Sequence, residues 1–432
     1  MRSRNFSVGL TAVALIALAV FGTATCAAAQ QEKVLHSFSG RDGYLPQGGL
    51  TMDTPGNLYG TTSGFGLYGG GTAFELTPEG GSWRETVLHN FGRGTDGANP
   101  YAGLTFDASG NLYGTTTQGG TYGWGTVFEL TPGTDGTWTE KVLHSFNLLS
   151  EAGSEATPYG GVILDASGNL YGTTSNGGDG VGAVFELTPT TGGDWTESVL
   201  YSFKQNGADG NTPYAGLTFD ATGNLYGTTL LGGAYYDCYG GEYGCGTVFE
   251  LTPTAGGGWT EEILHEFDNN GIDGNYPYST LVFDAQGNLY GTTFWGGTYP
   301  NCSGNGYGCG TVFELTPVAG GTWTEKILHN FGDSSTDGFG PDSSLIFDAS
   351  GNLYGATLYG GASSGGTAFK LLPRKGGWVE DILHNFSDNG TDGYLPYAGL
   401  TFDASGNLYG TTYFGGAHGS TYEGGTVFKI KP

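Results

Sequence analysis

The chain has 432 residues, among them 85 glycines and 16 prolines, and only 13 % of it is charged. Acidic residues outnumber basic ones 41 to 14, and the formal net charge of −27 would repel nucleic acid and anionic membrane surfaces before contact. Glycine at this density excludes a helical architecture, because each one costs a helix interior about 1 kcal/mol, and an aromatic content of 14 % excludes a disordered acidic tail.

Arg2 and Arg4 precede an uncharged apolar run from Val8 to Gly22, followed by the small residues Ala27, Ala28 and Ala29. These are the three parts of a secretory signal peptide over residues 1–29. The run is short for a membrane span. Cys26 raises lipidation as an alternative, but Thr23-Ala24-Thr25 lacks the leucine-like residue expected three positions upstream. The mature chain, residues 30–432, is expected as one repeat domain, secreted, periplasmic or at the cell surface, with no membrane span and no membrane tail after Lys429-Ile430-Lys431-Pro432.

Next comes Val34-Leu35-His36-Ser37-Phe38, and then Asn-Leu-Tyr-Gly seven times, beginning at Asn57, Asn111, Asn169, Asn224, Asn288, Asn352 and Asn407. A fixed period of this kind is the signature of repeat architectures. In the second unit, Gly103 to Asp107 alternates as a half-buried strand does. Asp107-Ala108-Ser109-Gly110 reads as a tight hairpin, with an aspartate to bond the turn backbone and a glycine where positive φ is cheapest. Asn111 to Thr116 is the return strand, Thr126 to Leu130 the third, and Trp138 to Phe146 the fourth. Four strands in each of seven units give an all-β fold: a seven-bladed β-propeller of four-stranded antiparallel blades. The last unit stops after its third strand, Thr426 to Ile430, and the N-terminal strand 33–38 has the sequence of the missing fourth. It is expected to complete the blade 398–430 and close the ring, leaving no open edge.

The unit Gly-Leu-Thr-Phe-Asp-Ala-Ser-Gly-Asn-Leu-Tyr-Gly-Thr-Thr, with Gly-Gly and Gly-Thr-Val-Phe-Glu-Leu-Thr-Pro after it, resembles the Gloeo/Verruco tandem repeat of exported, choice-of-anchor bacterial proteins. The resemblance covers nearly all of the mature chain and implies export. It carries no catalytic residue, since no activity is attached to that repeat. The Asp-x-x-Gly-Asn-Leu-Tyr hairpin also resembles the blades of NHL and two-component-regulator propellers, which bears on the fold alone.

A residue present in every blade is explained by blade construction, so a site is expected where the repeat is broken. The aspartates that open the first hairpins, such as Asp107 and Asp220, read as turn caps. His36, His89, His144, His265, His329 and His384, with Tyr201 in the fourth place of the series, fall one per blade and read as packing. So do the Trp-x-Glu pairs, such as Trp83 with Glu85 and Trp323 with Glu325. No metal or nucleotide motif is present, and neither metal nor cofactor is expected.

Cysteines do break the repeat: Cys238 and Cys245 lie in one inserted loop, and Cys302 and Cys309 in the equivalent loop of the next blade, at the same spacing. In an exported chain they read as two local disulfides. These loops carry the expected ligand-binding residues Tyr235, Tyr236, Asp237, Glu242, Trp295, Tyr299 and Asn301, aromatics beside carboxylates and amides that suit a polyhydroxylated ligand. Tyr101, Tyr159, Tyr214, Tyr278 and Tyr397, each after a proline, fall on the inter-blade loops of the same face and are expected to pack between blades, with ligand contact as the alternative. The leading expectation is a monomeric, non-catalytic binding or scaffold propeller for an extracellular glycan or protein surface. The alternative is a propeller hydrolase or lyase on a polysaccharide or lactone, with Asp237, Glu242, His418, Glu423, Glu151 and Glu155 as symmetry-breaking candidates.

Overall fold

The computed structural model describes residues 31–148, 155–178, 180–236, 238, 243–300, 302, 306–418 and 424–432; residues 1–29, expected as a signal peptide, lie outside them. Among the described residues there is no helix, and seven four-stranded antiparallel sheets follow one another along the chain. Blades one to six span Thr51–Asn90, Thr105–Ser145, Ile163–Ser202, Thr218–Glu266, Val282–Asn330 and Ile346–Asn385. Blade seven combines Thr401–Phe402, Leu408–Thr412 and Thr426–Lys431 with the N-terminal strand Gln31–Ser37. That strand pairs antiparallel with Thr426–Lys431, so the first and last strands of the chain share one sheet. The Thr411 hydroxyl also reaches the Gly48 carbonyl (3.3 Å), joining blade seven to blade one. The same bond links consecutive blades elsewhere, from Thr61 to Ala102 and from Thr115 to Gly160.

The core lies between blades, because each sheet has two apolar faces and can cover them only by stacking on its neighbours. Between blades two and three, for example, Tyr113, Val127, Leu143 and Phe146 meet Val162, Leu170, Phe185 and Leu187. The glycine of Asn-Leu-Tyr-Gly makes room for this packing. A Cβ on Gly114 would come within 2.6 Å of Phe128 Cζ and 2.9 Å of Leu104 Cδ2. Each hairpin is capped as its sequence suggests: the Asp107 carboxylate accepts N–H bonds from Ser109 and Asn111 (2.8 and 2.9 Å), and the Asn111 amide (2.9 Å).

Two features depart from the strands read in sequence. The inner strands form only a two-residue ladder, Thr105–Phe106 in blade two, and the residues before them leave the sheet to line the central channel. Every outer strand carries a bulge. In blade two Phe128 pairs with Val142 and Val127 with His144, which skips Leu143. A one-residue slip moves all later side chains to the opposite face. Trp138 and Glu140 therefore face blade one, where Trp138 packs near Tyr59, whereas His144 and Phe146 face blade three, where Phe146 meets Phe185.

Candidate functional site at the channel mouth

Each connection between blades enters its inner strand through a proline whose preceding residue is left-handed. Leu45, Asn99, Thr157, Thr212, Tyr276 and Leu395 have φ between 56° and 63°, and glycine stands at the seventh place, Gly340 (φ 64°). A non-glycine residue is held there only when its surroundings over-determine it. Backbone bonds on both sides supply this: the Asn99 N–H donates to Gly70 O, and its carbonyl accepts from Thr117 N. The proline then fixes φ, so the next residue is aimed in one direction, into the channel.

At five blades that next residue is tyrosine, and the rings form a collar rather than packing between blades. Tyr101 meets Tyr159 edge-on at 5.3 Å, Tyr159 stacks on Tyr214 at 4.0 Å, and Tyr214 meets Tyr278 edge-on at 5.3 Å. The series is broken twice, by Asp342 after Pro341 and by Gln47 after Pro46. Both sit on the channel cavity of about 390 Å³, with Asp342 between the places of Tyr278 and Tyr397. Gln47 donates to the Ser63 hydroxyl (2.8 Å). Burial raises the Asp342 carboxyl to about 7. Burial first, and then neighbouring tyrosines and the Asp342 charge, holds the Tyr214, Tyr278 and Tyr397 hydroxyls well above their ordinary range, so they are hydrogen-bond donors at neutral pH.

The residue after each second strand adds a further asymmetry. In blades one to three it is Ser63, Thr117 or Ser175, each donating its hydroxyl to the carbonyl of a left-handed residue. In blades five and seven it is Phe294 or Tyr413, packed on Tyr278 (5.6 Å) and Tyr397 (5.0 Å). The collar is thus backed by buried hydroxyls in blades one to three and by rings in blades five and seven. Asp342 and Gln47 were legible as interruptions of the Pro-Tyr series; counting only the tyrosines passes over them.

The inserted loops stand outside this mouth. Cys238–Cys245 and Cys302–Cys309 are disulfides with Cα separations of 5.3 and 5.4 Å. Such bonds persist in an oxidising compartment, and among the described residues no helix is long and apolar enough to cross a membrane. Tyr235 is exposed beside His265 and Glu266 of the outer strand of blade four, and the Tyr236 hydroxyl lies over Gly207. Tyr299 borders a separate groove between blades five and six. Trp295 is half-buried, edge-on to Phe294 at 4.6 Å and paired through its backbone with Asn275. The described members of the predicted loop site are thus spread over several surfaces; Asp237, Glu242 and Asn301 lie outside the described residues. Of the alternative's candidates, His418 is exposed, Glu151 and Glu423 lie outside the described residues, and no side-chain position is described for Glu155.

The histidines and Trp-x-Glu glutamates, expected as separate packing residues, meet instead at the blade seams. Because of the bulge, each outer strand sends its glutamate to the preceding blade and its histidine to the following one. An aspartate of the connecting segment stands between them at every seam but that of blades two and three, whose connection has none and where His144 Nε2 lies 3.3 Å from Glu197 Oε1 directly. His89 Nε2 is 2.9 Å from Asp96 Oδ2, and Glu140 completes a cluster whose ligand-type atoms lie within 4.8 Å of one another. His36 with Asp42 (2.9 Å), His265 with Asp273 (3.2 Å) and His384 with Asp392 (3.1 Å) repeat the pair, and Tyr201 donates to Asp209 (2.8 Å) in its place in the series. Burial drives the Glu32, Glu85, Glu140 and Glu261 carboxyls up to about 7.

The geometry defines the chain as a repeat-built, seven-bladed β-propeller with an aromatic channel mouth. The model of the Gloeobacter/Verrucomicrobia repeat matches residues 20–239 and 236–432, and the chain belongs to that family. None of the curated proteins matches it. Among solved structures, a protein provisionally described as an oxidoreductase (glucose dehydrogenase) from Thermus thermophilus is 15% identical, with a TM-score of 0.42 over 93% of this chain and 100% of that one. One provisionally described as a 6-phosphogluconolactonase from Bacteroides uniformis is 12% identical, with a TM-score of 0.48 over 78% of this chain and 83% of that one. Neither likeness bears on activity.

Proposed function

We propose that this protein is an exported, non-catalytic binding propeller that takes a neutral polyhydroxylated ligand, the end of an extracellular glycan, at its channel mouth. The observation that carries this is the tyrosine collar interrupted by Asp342 and Gln47. Ring faces suit sugar C–H groups, the raised phenols donate, and Asp342 accepts from two hydroxyls. The cavity is of the size that takes small ligands. Asp342 is the one carboxylate among the described residues lining the channel, whereas glycoside cleavage uses a pair about 5–10 Å apart.

A glycan array followed by calorimetry on the best ligand tests the reading. Asp342→Asn, nearly isosteric, is expected to weaken binding at least tenfold at unchanged melting temperature, and Tyr214→Ala to do likewise with some loss of stability. Trp295→Ala, on the loop rim, is expected to have little effect. Binding indifferent to both channel substitutions would remove the site, and turnover of a polysaccharide by the wild type would remove the non-catalytic part.

A further inference from the structure

One seam differs from the others. At His329 and Asp337 the Nε2 to Oδ2 distance is 3.6 Å, against 2.9 to 3.2 Å at His36, His89, His265 and His384. It is beyond hydrogen-bond reach. Glu380 Oε2, from the outer strand of blade six, lies 3.9 Å from the same nitrogen. Two buried atoms are left there with no hydrogen-bond partner, His329 Nε2 and Asp337 Oδ1, beside Glu380 Oε1, whose counterparts Glu85, Glu140, Glu261 and Glu325 Oε1 lack one at the other seams too. The Asp337 side chain is only 1% exposed. In four other seams the N–H of the following glycine bonds the aspartate's Oδ1, from Gly97, Gly210, Gly274 and Gly393 at 2.6 to 2.8 Å. Here that bond is missing. Gly332 and Asp333 N–H groups hold Oδ2, at 2.6 and 3.2 Å, as Asp268 and Ser387 N–H groups do at their own seams, and Oδ1 is left over.

We propose that His329, Asp337 and Glu380 bind a divalent transition-metal cation that clamps blade five to blade six. One ligand atom from each residue falls within 4.8 Å of the others. A tetrahedral ion about 2.0–2.1 Å from its nitrogen and oxygen ligands sets neighbouring ligands about 3.3 Å apart, close to the spacing found here and longer than a hydrogen bond. One imidazole and two carboxylates form a mixed nitrogen and oxygen set, which suits Zn²⁺ or Mn²⁺ better than the all-oxygen shell of Ca²⁺. The charge fits as well: two carboxylates face each other in a buried seam, with Asp333 and Asp381 adding to the repulsion, and a dication neutralises the pair. The nearby cysteines are joined as Cys302–Cys309 and offer no thiolate. A groove bordered by Tyr299, Asp333 and Ser334 reaches Asp337 from solvent and gives an ion a way in. The sequence hides the set because its members stand 8 and 43 positions apart on two blades and a loop.

The purified protein, stripped with chelator, is titrated with Zn²⁺ by calorimetry and by thermal melting. One ion per chain is expected, with a melting temperature about 3 °C higher at a hundredfold excess over Kd. His329→Gln, Asp337→Asn and the near-isosteric Glu380→Gln should each remove both effects, with the folded near-ultraviolet spectrum of Glu380→Gln showing that loss of the ion is not loss of the fold. His89→Gln, in a seam already closed by its own hydrogen bond, should keep both. No bound Zn²⁺, binding retained in all three seam variants, or binding lost in His89→Gln would overturn the site. A seam held by a proton shared between Asp337 and Glu380 would show the first of these results.

Discussion

Ring closure by the N-terminal strand can be measured against an internal standard, because the repeat supplies the same contact where the chain is continuous. Phe38 directly follows the strand that completes blade seven. It is fully buried, edge-on to Phe74 of blade one at 5.0 Å, with its N–H on Gly425 O at 3.0 Å. Phe146 is its counterpart at the seam of blades two and three: fully buried, edge-on to Phe185 at 5.2 Å, with its N–H on Gly125 O at 3.0 Å. Truncating a buried phenylalanine to alanine costs about 3–5 kcal/mol through lost transfer energy and the cavity left behind. Unfolding entropy near 2.1 cal/mol/K per residue gives roughly 0.8 kcal/mol/K over some 400 residues, so each substitution should lower the melting temperature by about 4–6 °C. Phe38→Ala and Phe146→Ala should therefore cost the same by calorimetry and by urea midpoint, although one is near a chain end and the other mid-chain. If the ends were not locked, Phe38 would be lost to fraying at little cost. A drop under about 1 °C for Phe38→Ala beside a full drop for Phe146→Ala would refute closure.

Gly227→Ala should cost about 1–3 kcal/mol, because its Cβ would come within 2.6 Å of Phe249 Cζ in a closed core; Gly256→Ala, with open space around it, should be neutral, and equal urea midpoints for the two would contradict the packing argument. Glu85, Glu140 and Glu261 are raised from 4.5 to about 7, chiefly by burial. The folded state therefore holds their protons more tightly than the unfolded chain. Their stabilisation is full below about pH 4.5 and fades as pH rises through about 7. Bonds from neighbouring groups hold hairpin aspartates such as Asp220 and Asp403 below their ordinary 3.8 despite partial burial, and their contribution is lost in stronger acid. Melting temperature should thus be higher at pH 5 than at pH 8; the reverse order would sink the seam argument. Under denaturing, non-reducing conditions Cys238, Cys245, Cys302 and Cys309 should resist alkylation, and a mass showing four modified thiols would exclude the two disulfides.

Local chemistry repeated seven times was enough to determine the architecture. Asp-x-x-Gly-Asn sets the hairpin wherever it occurs, alternation sets the strand, and the complementary ends, Val34 to Phe38 and Thr426 to Ile430, can be matched without coordinates. What the sequence could not decide is which side chains meet across blades. The bulge at Leu143 and its equivalents reverses the face of everything after it, and no composition or period announces it. Glu140 and His144, four residues apart on one strand, thereby serve different seams, and His329, Asp337 and Glu380 come together from two blades and a loop. The channel mouth is similar. Pro341-Asp342 is visible as a broken repeat, but only closure of the ring turns seven connecting loops inward and makes that one carboxylate the neighbour of a tyrosine collar.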